Sequence, residues 1–263
     1  MKWQFLDSGF ASGEVNMARD GQLAQDLLNG GEICTLRVYG WNPPAISLGR
    51  NQSLDSIDLE KAKHDQLDIV RRVTGGRAIL HSEELTYSVT MLSAPKTVLA
   101  EYRLISQGLV AGLRLLRADV TLESAQPHLP LFYREAASGA CYASATQYEI
   151  TVGGKKLVGS AQRRFQRGDG MEVVLQHGSI LLGPDHRRIA NYLNVARVTD
   201  RQTLEEIMQA RTADLSAAIG RSVSYSEVAH AVRRGFELAL SIEFDNHSLG
   251  AAVARPLHEE IAE

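Results

Sequence analysis

Alternating apolar and polar positions predict β-strands along the first two thirds of the chain. In the segment 85–91 every second residue is apolar, a pattern that is typical of a sheet strand with one buried face. Strand patterns at 148–152 and 155–161 flank Gly153-Gly154, and a two-residue glycine turn between strands indicates a hairpin. Further strand patterns lie at 3–7, 33–39, 45–48, 68–72 and 172–182.

Helical patterns separate these strands and dominate the C-terminal part. We predict a helix that Asn16 caps and Gly30-Gly31 ends, a short charged helix at 59–66 and a longer one at 98–117. Capping-box spacing predicts two further helix starts, at Thr203 and Ser224, each three residues before a glutamate. The elements indicate a mixed α+β domain formed by residues 1–184, with residues 185–263 as a helical C-terminal extension packed on the same domain.

Composition narrows the class of protein. The 263 residues are 44% hydrophobic and 22% charged, enough for a substantial core, and no apolar run reaches the roughly 18 residues of a membrane-spanning helix. The N-terminus lacks the apolar run and cleavage site of a secretory signal. The two cysteines, Cys34 and Cys141, are too few for a disulfide framework or a metal cluster and fit a reducing compartment. With a net charge of −3, we expect a cytoplasmic protein that binds neither nucleic acid nor membrane and holds no metal.

The segment 156–162 carries the most distinctive pattern, a cationic residue ahead of small residues in a strand. Gly159, Ser160 and Ala161 leave open space beside the backbone, which suits the close approach of a ligand. Lys155 and Lys156 must point to opposite faces of the strand. Alternation alone does not decide which lysine points inward, but the small residues that follow favour Lys156.

Cys141 is a candidate nucleophile because it lies fifteen residues before Lys156, at the end of a stretch with two prolines. A nearby ammonium group favours the thiolate, which is the reactive form of cysteine. The alternative is that Cys141 is a small buried apolar residue. Cys34 lies inside a strand pattern, and we predict that it belongs to the core.

A glycine-containing segment at 71–81 is a second candidate site. Gly75 and Gly76 lie between strand patterns, where they permit positive φ and expose backbone N–H groups. The neighbouring arginines, Arg71, Arg72 and Arg77, are suited to a phosphate such as that of a carrier's pantetheine arm; a hairpin with solvated arginines is the alternative. A third segment, 176–179, places small residues in a strand, either for a ligand or as a bulge.

Together these segments resemble the biotin/lipoate A/B protein ligase family. Residues 71–81 resemble its RRxxGGxxxxH segment, ending at His81; residues 156–162 resemble its KxxGSAQ segment, and residues 176–179 its QHGS strand. The resemblance covers most of the chain and implies the fold of that family, α+β with a mixed, largely antiparallel sheet flanked by helices and a small helical C-terminal part. Residues 1–184 would then be an acyltransferase catalytic domain.

Within the family, the chain is most similar to the cysteine-dependent octanoyltransferases. The ATP-dependent ligases usually have a third glycine where this chain has Arg77, and the transferases carry a cysteine ahead of a Tyr-Glu strand, matched by Cys141 and then Tyr148-Glu149. The resemblance implies transfer of octanoate from acyl carrier protein to a lysine of a lipoyl domain, such as glycine cleavage H protein, without a cofactor. Cys141 and Lys156 would be catalytic. The residues expected to bind substrate are Arg72, Gly75, Gly76, Arg77, His81, Gly159, Ser160, Ala161, His177 and Gly178.

Three other functions stay open from the sequence. An ATP-dependent lipoate or biotin ligase would place adenylate phosphates on Gly75-Gly76, an amidotransferase would move octanoate between two lipoyl domains, and an acyl-binding relic of the fold would form no covalent adduct. The stretch 163–172 is longer and more basic than the family pattern. It would either dock an acidic carrier or form a solvated hairpin tip.

Overall fold

A mixed β-sheet of eight strands forms the centre of the computed structural model, which describes residues 1–94, 98–123, 149–194 and 198–245. The strand order is β11-β1-β2-β6-β10-β9-β8-β7. β1 is parallel to β2 and β11 and all other neighbours are antiparallel, so the predicted α+β fold with a mixed, largely antiparallel sheet is confirmed. The strands are β1 (Lys2–Ala11), β2 (Ile33–Trp41), β6 (Glu84–Ser93), β7 (Val120–Glu123), β8 (Glu149–Val152), β9 (Lys155–Gln166), β10 (Glu172–Leu181) and β11 (Phe244–Asp245).

A second sheet of three described strands lies beside the first. It contains β3 (Ala45–Leu48), β4 (Asp68–Arg71) and β5 (Ile79–His81) in the order β4-β3-β5. The loop between β4 and β5 carries Gly75 and Gly76 of the glycine-containing segment 71–81. This sheet brings that loop against the loop after β3, since the backbone N–H of Arg50 donates to the Thr74 carbonyl at 2.9 Å.

Six α-helices of the described residues flank the sheets: α1 (Gly13–Leu28), α2 (Leu59–His64), α3 (Val98–Leu115), α4 (Val198–Arg211), α5 (Leu215–Ile219) and α6 (Tyr225–Leu240). A 3-10 segment, Pro184–Tyr192, leads from β10 toward α4. Ser224 caps α6 by accepting from the Glu227 N–H, as its spacing predicts. Two predicted starts are wrong. α1 begins after Ser12, whose hydroxyl accepts from Val15 N, and Thr203 lies inside α4.

β6 is buried on both faces, so the prediction of one buried face is wrong. Its apolar residues, such as Leu85 and Val89, join the main core under α3 and α6. Its polar residues lie on the opposite face, which α1 covers, and Ser88 donates to Asp20 of α1 at 2.8 Å. Apolar–polar alternation therefore separates two kinds of buried environment here, not core from solvent.

The helical C-terminal part shares the core of the sheet. Val228, Val232 and Phe236 of α6 belong to the same buried cluster as Ile105 and Leu109 of α3. The predicted boundary between residues 1–184 and an extension stays a prediction, since this cluster runs across it. No helix among the described residues is long and apolar enough to cross a membrane.

Candidate active site

A pocket of about 350 Å³, part of it open to solvent, lies between α1 and the two sheets. The small residues of β9 and β10 face it. Most of the surface that lines the pocket consists of carbon atoms. Seven of the residues predicted to bind substrate line it: Arg72, His81, Gly159, Ser160, Ala161, His177 and Gly178. A concave and mostly apolar surface with a few polar groups is typical of a small-molecule site.

The two small-residue motifs form one wall because β9 and β10 are neighbours. Ser160 lies opposite Gly178 in an unbroken antiparallel register, so the bulge proposed for 176–179 is absent. A Cβ atom added to Gly178 would lie 2.2 Å from the Gly159 carbonyl oxygen and 2.9 Å from the Tyr87 ring. Glycine is required at 178 by this close approach, which explains the motif physically.

His81 and Trp41 form a second wall. Their rings are stacked with centroids 4.0 Å apart and planes within 11°. His81 Nδ1 lies 2.8 Å from Glu84 Oε1, and Nε2 lies 2.7 Å from Ser47 Oγ. Trp41 Nε1–H donates to Thr86 Oγ1 at 2.7 Å, and Thr86 donates to Glu84. Glu84 thus holds both rings, His81 directly and Trp41 through Thr86, and the ring nitrogens are engaged in hydrogen bonds.

A second buried network ties α1 to the sheet through His177. Asp20 Oδ1 lies 2.7 Å from Arg37 Nη1, while Asp20 Oδ2 accepts from Tyr39 OH at 2.9 Å and lies 3.1 Å from His177 Nδ1. Burial alone raises the pKa of the Asp20 carboxyl, but Arg37 and His177 bring it down to about 2. Asp20 is therefore ionised at neutral pH. His177 Nε2 lies 2.6 Å from Thr74 Oγ1, so the histidine ring also holds the glycine loop.

The paired arginines hold loops together, which differs from their predicted position as phosphate ligands. One nitrogen of Arg71, Nη1, donates to the carbonyls of Gly49, Arg50 and Gln52 at 2.6–3.1 Å. The buried Arg72 guanidinium donates to the Ser47 carbonyl and hydroxyl and to the carbonyls of residues 75 and 77. The predicted residues Gly75, Gly76 and Arg77 are exposed and do not line the pocket.

Lys156 points into the protein and Lys155 points outward, as the small residues predict. The Lys156 side chain is 3% exposed, and its Nζ donates to Glu149 Oε1 at 2.6 Å across the hairpin. The turn has the predicted two residues, since Val152 pairs with Lys155. β9 carries a bulge at Leu157, because Ile150 pairs with Val158 and Thr151 with Lys156. Bulges change the direction of side chains on a strand. Lys156 does not line the pocket itself.

Cys141 lies outside the described residues. Cys34 is fully buried in the main core, as predicted, and burial raises the pKa of its thiol. The basic stretch 163–172 forms the end of the β9–β10 hairpin, with strand at 163–166 and an exposed tip at 168–170, so the predicted hairpin tip is confirmed. Arg164 pairs with Glu101 at 3.0 Å and with Glu172, and Arg167 donates to the carbonyls of Leu27 and Gly31 at 3.1 and 3.0 Å.

Several site residues were missed from the sequence. Met17, Tyr39, Trp41, Ser47, Ile79, Thr86 and Ser179 also line the pocket. Glu84 holds its walls and Glu149 holds Lys156. A signal was present for two of them: Glu84 follows His81 by three residues, and Thr86 continues the polar face of β6. No cluster of three or more His, Cys, Asp or Glu side chains with the spacing of a metal site occurs in the part of the chain that the structure describes.

Comparison with known proteins agrees with this architecture. The bipartite lipoate protein ligase of Thermoplasma acidophilum has the same fold, with a TM-score of 0.73, 22% identity and coverage of 94% of this chain and 87% of that chain. Octanoyltransferase LipM of Geobacillus kaustophilus is 37% identical over 99% of this chain and 94% of its own length. Octanoyltransferase LipM of Bacillus subtilis is 34% identical, covering 94% of this chain and 89% of its own. The model of the lipoyl protein ligase A/B catalytic domain matches residues 12–237. The chain belongs to the lipoyl protein ligase A/B catalytic domain family.

Proposed function

We propose that the protein is an octanoyltransferase that moves an octanoyl group from acyl carrier protein to a lysine of a lipoyl domain. The observation that carries this proposal is the apolar pocket, one wall of which is formed by β9, the strand that also contains Lys156. The chain is similar to octanoyltransferases over its full length. Burial of a methylene group contributes about 0.8 kcal/mol, so most of an octyl chain would contribute roughly 5 kcal/mol. Because the octanoyl chain is an uncharged hydrocarbon, an apolar pocket suffices to bind it.

In the proposed reaction Cys141 is the nucleophile of a two-step transfer. Its sulfur attacks the carbonyl carbon of the carrier thioester, the bond to the pantetheine sulfur breaks, and Lys156 passes the thiol proton to that sulfur. The acceptor lysine then attacks the enzyme thioester. Lys156 returns the proton of the attacking amine to the Cys141 sulfur as the amide forms. Thioester exchange is nearly balanced and amide formation is downhill, so ATP is not consumed. Backbone N–H groups near Gly159 and Ser160 are the predicted donors to the oxyanion.

Chain connectivity permits the required meeting of Cys141 and Lys156. Glu149, whose carboxylate contacts Lys156 Nζ, follows Cys141 by eight residues. Eight extended residues span at most about 28 Å, so Cys141 cannot lie further than that from Glu149, and a less extended chain brings it closer. The ammonium that Glu149 holds would favour the thiolate of an approaching cysteine.

Mass spectrometry of the intact protein tests the proposal. After mixing with octanoyl carrier protein, we expect one octanoyl adduct that hydroxylamine releases. The adduct is absent in Cys141→Ala and present in Cys34→Ala, which serves as the matched control. Addition of a lipoyl domain should transfer the group to its lysine.

The other outcomes of this experiment identify the alternatives. Octanoylation of the lipoyl domain from free octanoate and ATP, surviving Cys141→Ala, would indicate a ligase. An adduct obtained from octanoylated H protein but not from the carrier would indicate an amidotransferase. Octanoate binding without any adduct would contradict an enzymatic role.

A further inference from the structure

Two arginines lie near the pocket, Arg50 on the loop after β3 and Arg163 on β9. The loop after β3 and the loop after β4 are pressed together, since a Cβ atom on Gly49 would lie 2.0 Å from the Gly76 carbonyl oxygen. Arg50, on the first loop, donates its backbone N–H to the Thr74 carbonyl, and its side chain is exposed. Arg163 reaches the second loop from β9 and donates from Nη1 to the Val73 carbonyl at 3.2 Å. We call Arg50 and Arg163 the basic rim.

The basic rim adjoins the acyl pocket. Ala161 lines the pocket, and Arg163 is two residues further along β9, on the same face and about 7 Å away along the strand. Partial burial and the nearby charge of Arg50 both lower the pKa of Arg163. The two arginines also contact consecutive carbonyls of the same loop, Arg163 that of Val73 and the Arg50 backbone that of Thr74. The basic rim therefore lies next to the pocket wall that Ala161 forms.

The basic rim has no compensating carboxylate in the described part of the chain. Among residues 1–94, 98–123, 149–194 and 198–245, no carboxylate lies within salt-bridge distance of Arg50 or Arg163. Arg164, the next residue on β9 and on its opposite face, pairs with both Glu101 and Glu172. The same strand thus carries one compensated arginine and one uncompensated arginine. Two adjacent uncompensated guanidinium groups are suited to an anion with several oxygen atoms.

We propose that Arg50 and Arg163 bind the phosphate of the donor's phosphopantetheine arm while the octanoyl chain occupies the pocket. This inference rests on the proposed function, because it presupposes a pantetheine thioester as donor. It moves the phosphate away from Arg71 and Arg72, whose guanidinium groups hold loop carbonyls. The phosphate would then fix the arm, and the pocket would fix the acyl end.

A pair of small donors tests the proposal. Octanoyl-pantetheine and octanoyl-4′-phosphopantetheine carry the same thioester and differ only in the phosphate. We expect the unmodified protein to be octanoylated at Cys141 at least about tenfold faster, per unit of donor concentration, by the phosphorylated compound, the scale of one charge-assisted hydrogen bond. The ratio of the two rates should fall several-fold in Arg50→Gln and approach one in Arg50→Gln/Arg163→Gln. Salt should lower the ratio in the unmodified protein.

Arg114→Gln is the matched control. Arg114 is an exposed arginine near the end of α3 that also donates to a backbone carbonyl, that of Val120 at 3.0 Å, and it does not line the pocket. Its ratio should remain that of the unmodified protein. Because Arg163 contacts the glycine loop, thermal unfolding is measured for each variant, and Arg50→Gln, whose side chain is exposed, gives a result that does not depend on that contact.

The remaining outcomes are decisive. A ratio near one in the unmodified protein, or a ratio that persists in the double variant, overturns the proposal. A loss seen only with the whole carrier protein overturns it too and assigns the arginines to carboxylates of the carrier. If neither small donor nor octanoyl carrier protein acylates the unmodified protein, the proposed function itself fails.

Discussion

Lys156 and Glu149 form an ion pair from which water is almost excluded, with side-chain exposures of 3% and 1%. Removing two charges from water costs several kcal/mol for each, and only their mutual attraction and hydrogen bonding offset that cost. Glu149 therefore has a structural role of its own. Its carboxylate fixes the position of the Lys156 ammonium at the start of the strand that forms the pocket wall.

Replacing Glu149 by leucine should destabilise the protein by about 3–5 kcal/mol, because it leaves a buried ammonium without its carboxylate. The double variant Glu149→Leu/Lys156→Met should recover most of that loss, since it buries apolar groups instead, yet acylate Cys141 slowly. Urea unfolding gives the free energies, and intact mass gives the acylation rate. Lys155→Met is the control, with a change within about 0.5 kcal/mol at an exposed site. A stable Glu149→Leu variant would show that the carboxylate is dispensable to Lys156.

Sequence reasoning identified residue types better than residue roles. The small residues after Lys156 led to the correct inward lysine, because space beside a strand is a local property. The roles of Arg71 and Arg72 depend on carbonyl groups near residues 47–52, about twenty positions away. The motif read along the chain contains the guanidinium groups but only two of their acceptors, the carbonyls of residues 75 and 77. For the same reason the basic rim was not recognised, since Arg50 and Arg163 belong to different segments.

At the scale of elements, local patterns predicted most strands and misplaced two helix starts, of which the start of α1 shows the reason. Both Ser12 and Asn16 are able to cap a helix. Ser12 does so, while Asn16 is buried and donates to the Gly40 carbonyl at 2.9 Å. The choice was decided by tertiary contacts between α1 and β2. Likewise, only the covering of the sheet by α1 explains why the polar face of β6 is buried.

The 3-10 segment after β10 connects the C-terminal helices to the strand of Lys156 through His186. His186 Nε2 lies 2.7 Å from Thr212 Oγ1, and the next residue, Ala213, donates to the Lys156 carbonyl at 3.0 Å. Burial, reinforced by the charge of Arg187, lowers the pKa of His186 to about 4. The imidazole is therefore neutral in the folded protein at pH values where the unfolded chain protonates it.

Acid should accordingly weaken the fold between about pH 6.5 and pH 4. In that range the unfolded state binds the extra proton, so the free energy of unfolding falls as the pH falls, by up to about 3 kcal/mol from this group. In His186→Gln this contribution is absent, so urea midpoints measured at pH 8, 6 and 4.5 should change less than in the unmodified protein. The carboxyl of Asp20, with its pKa lowered to about 2, acts below this range. Parallel pH profiles for the two proteins would contradict the assignment.

At the scale of the whole molecule, the site depends on the order of the strands. β10 pairs with β9 on one side and with β6 on the other. β9 directly precedes β10 in the chain, but β6 ends about eighty residues before β10 begins. The hairpin pairing of β8 and β9 was deducible from the Gly153-Gly154 turn, because the two strands are consecutive. The pairing of β6 with β10 was not, because no local signal specifies a partner so distant in sequence. The family resemblance supplied what periodicity could not.

The helical C-terminal part supports the sheet through a glycine contact between α3 and α6. A Cβ atom on Gly235 would lie 2.2 Å from the Gly112 nitrogen and 2.4 Å from the Gly108 carbonyl oxygen. Backbone atoms cannot move aside as side chains do, so the two helices would have to separate. Since α3 packs on the apolar face of the sheet, the separation would reach the core beneath the site.

Gly235→Ala should therefore destabilise the whole protein by about 1–3 kcal/mol, the cost of overpacking, with the larger value if the helices separate. Gly21→Ala is the matched control, because Gly21 is also helical and a Cβ atom there has nothing within 4 Å. Alanine at 21 should leave the stability unchanged or raise it by up to about 1 kcal/mol through helix propensity.

Urea unfolding followed by far-UV circular dichroism and by tryptophan fluorescence distinguishes a global effect from a local one. Because Trp3 and Trp41 both lie in the sheet, coincident shifts of the two signals in Gly235→Ala would show that the helices and the sheet unfold as one unit. A loss of helical signal ahead of the tryptophan change would instead show that the C-terminal helices separate from the sheet first.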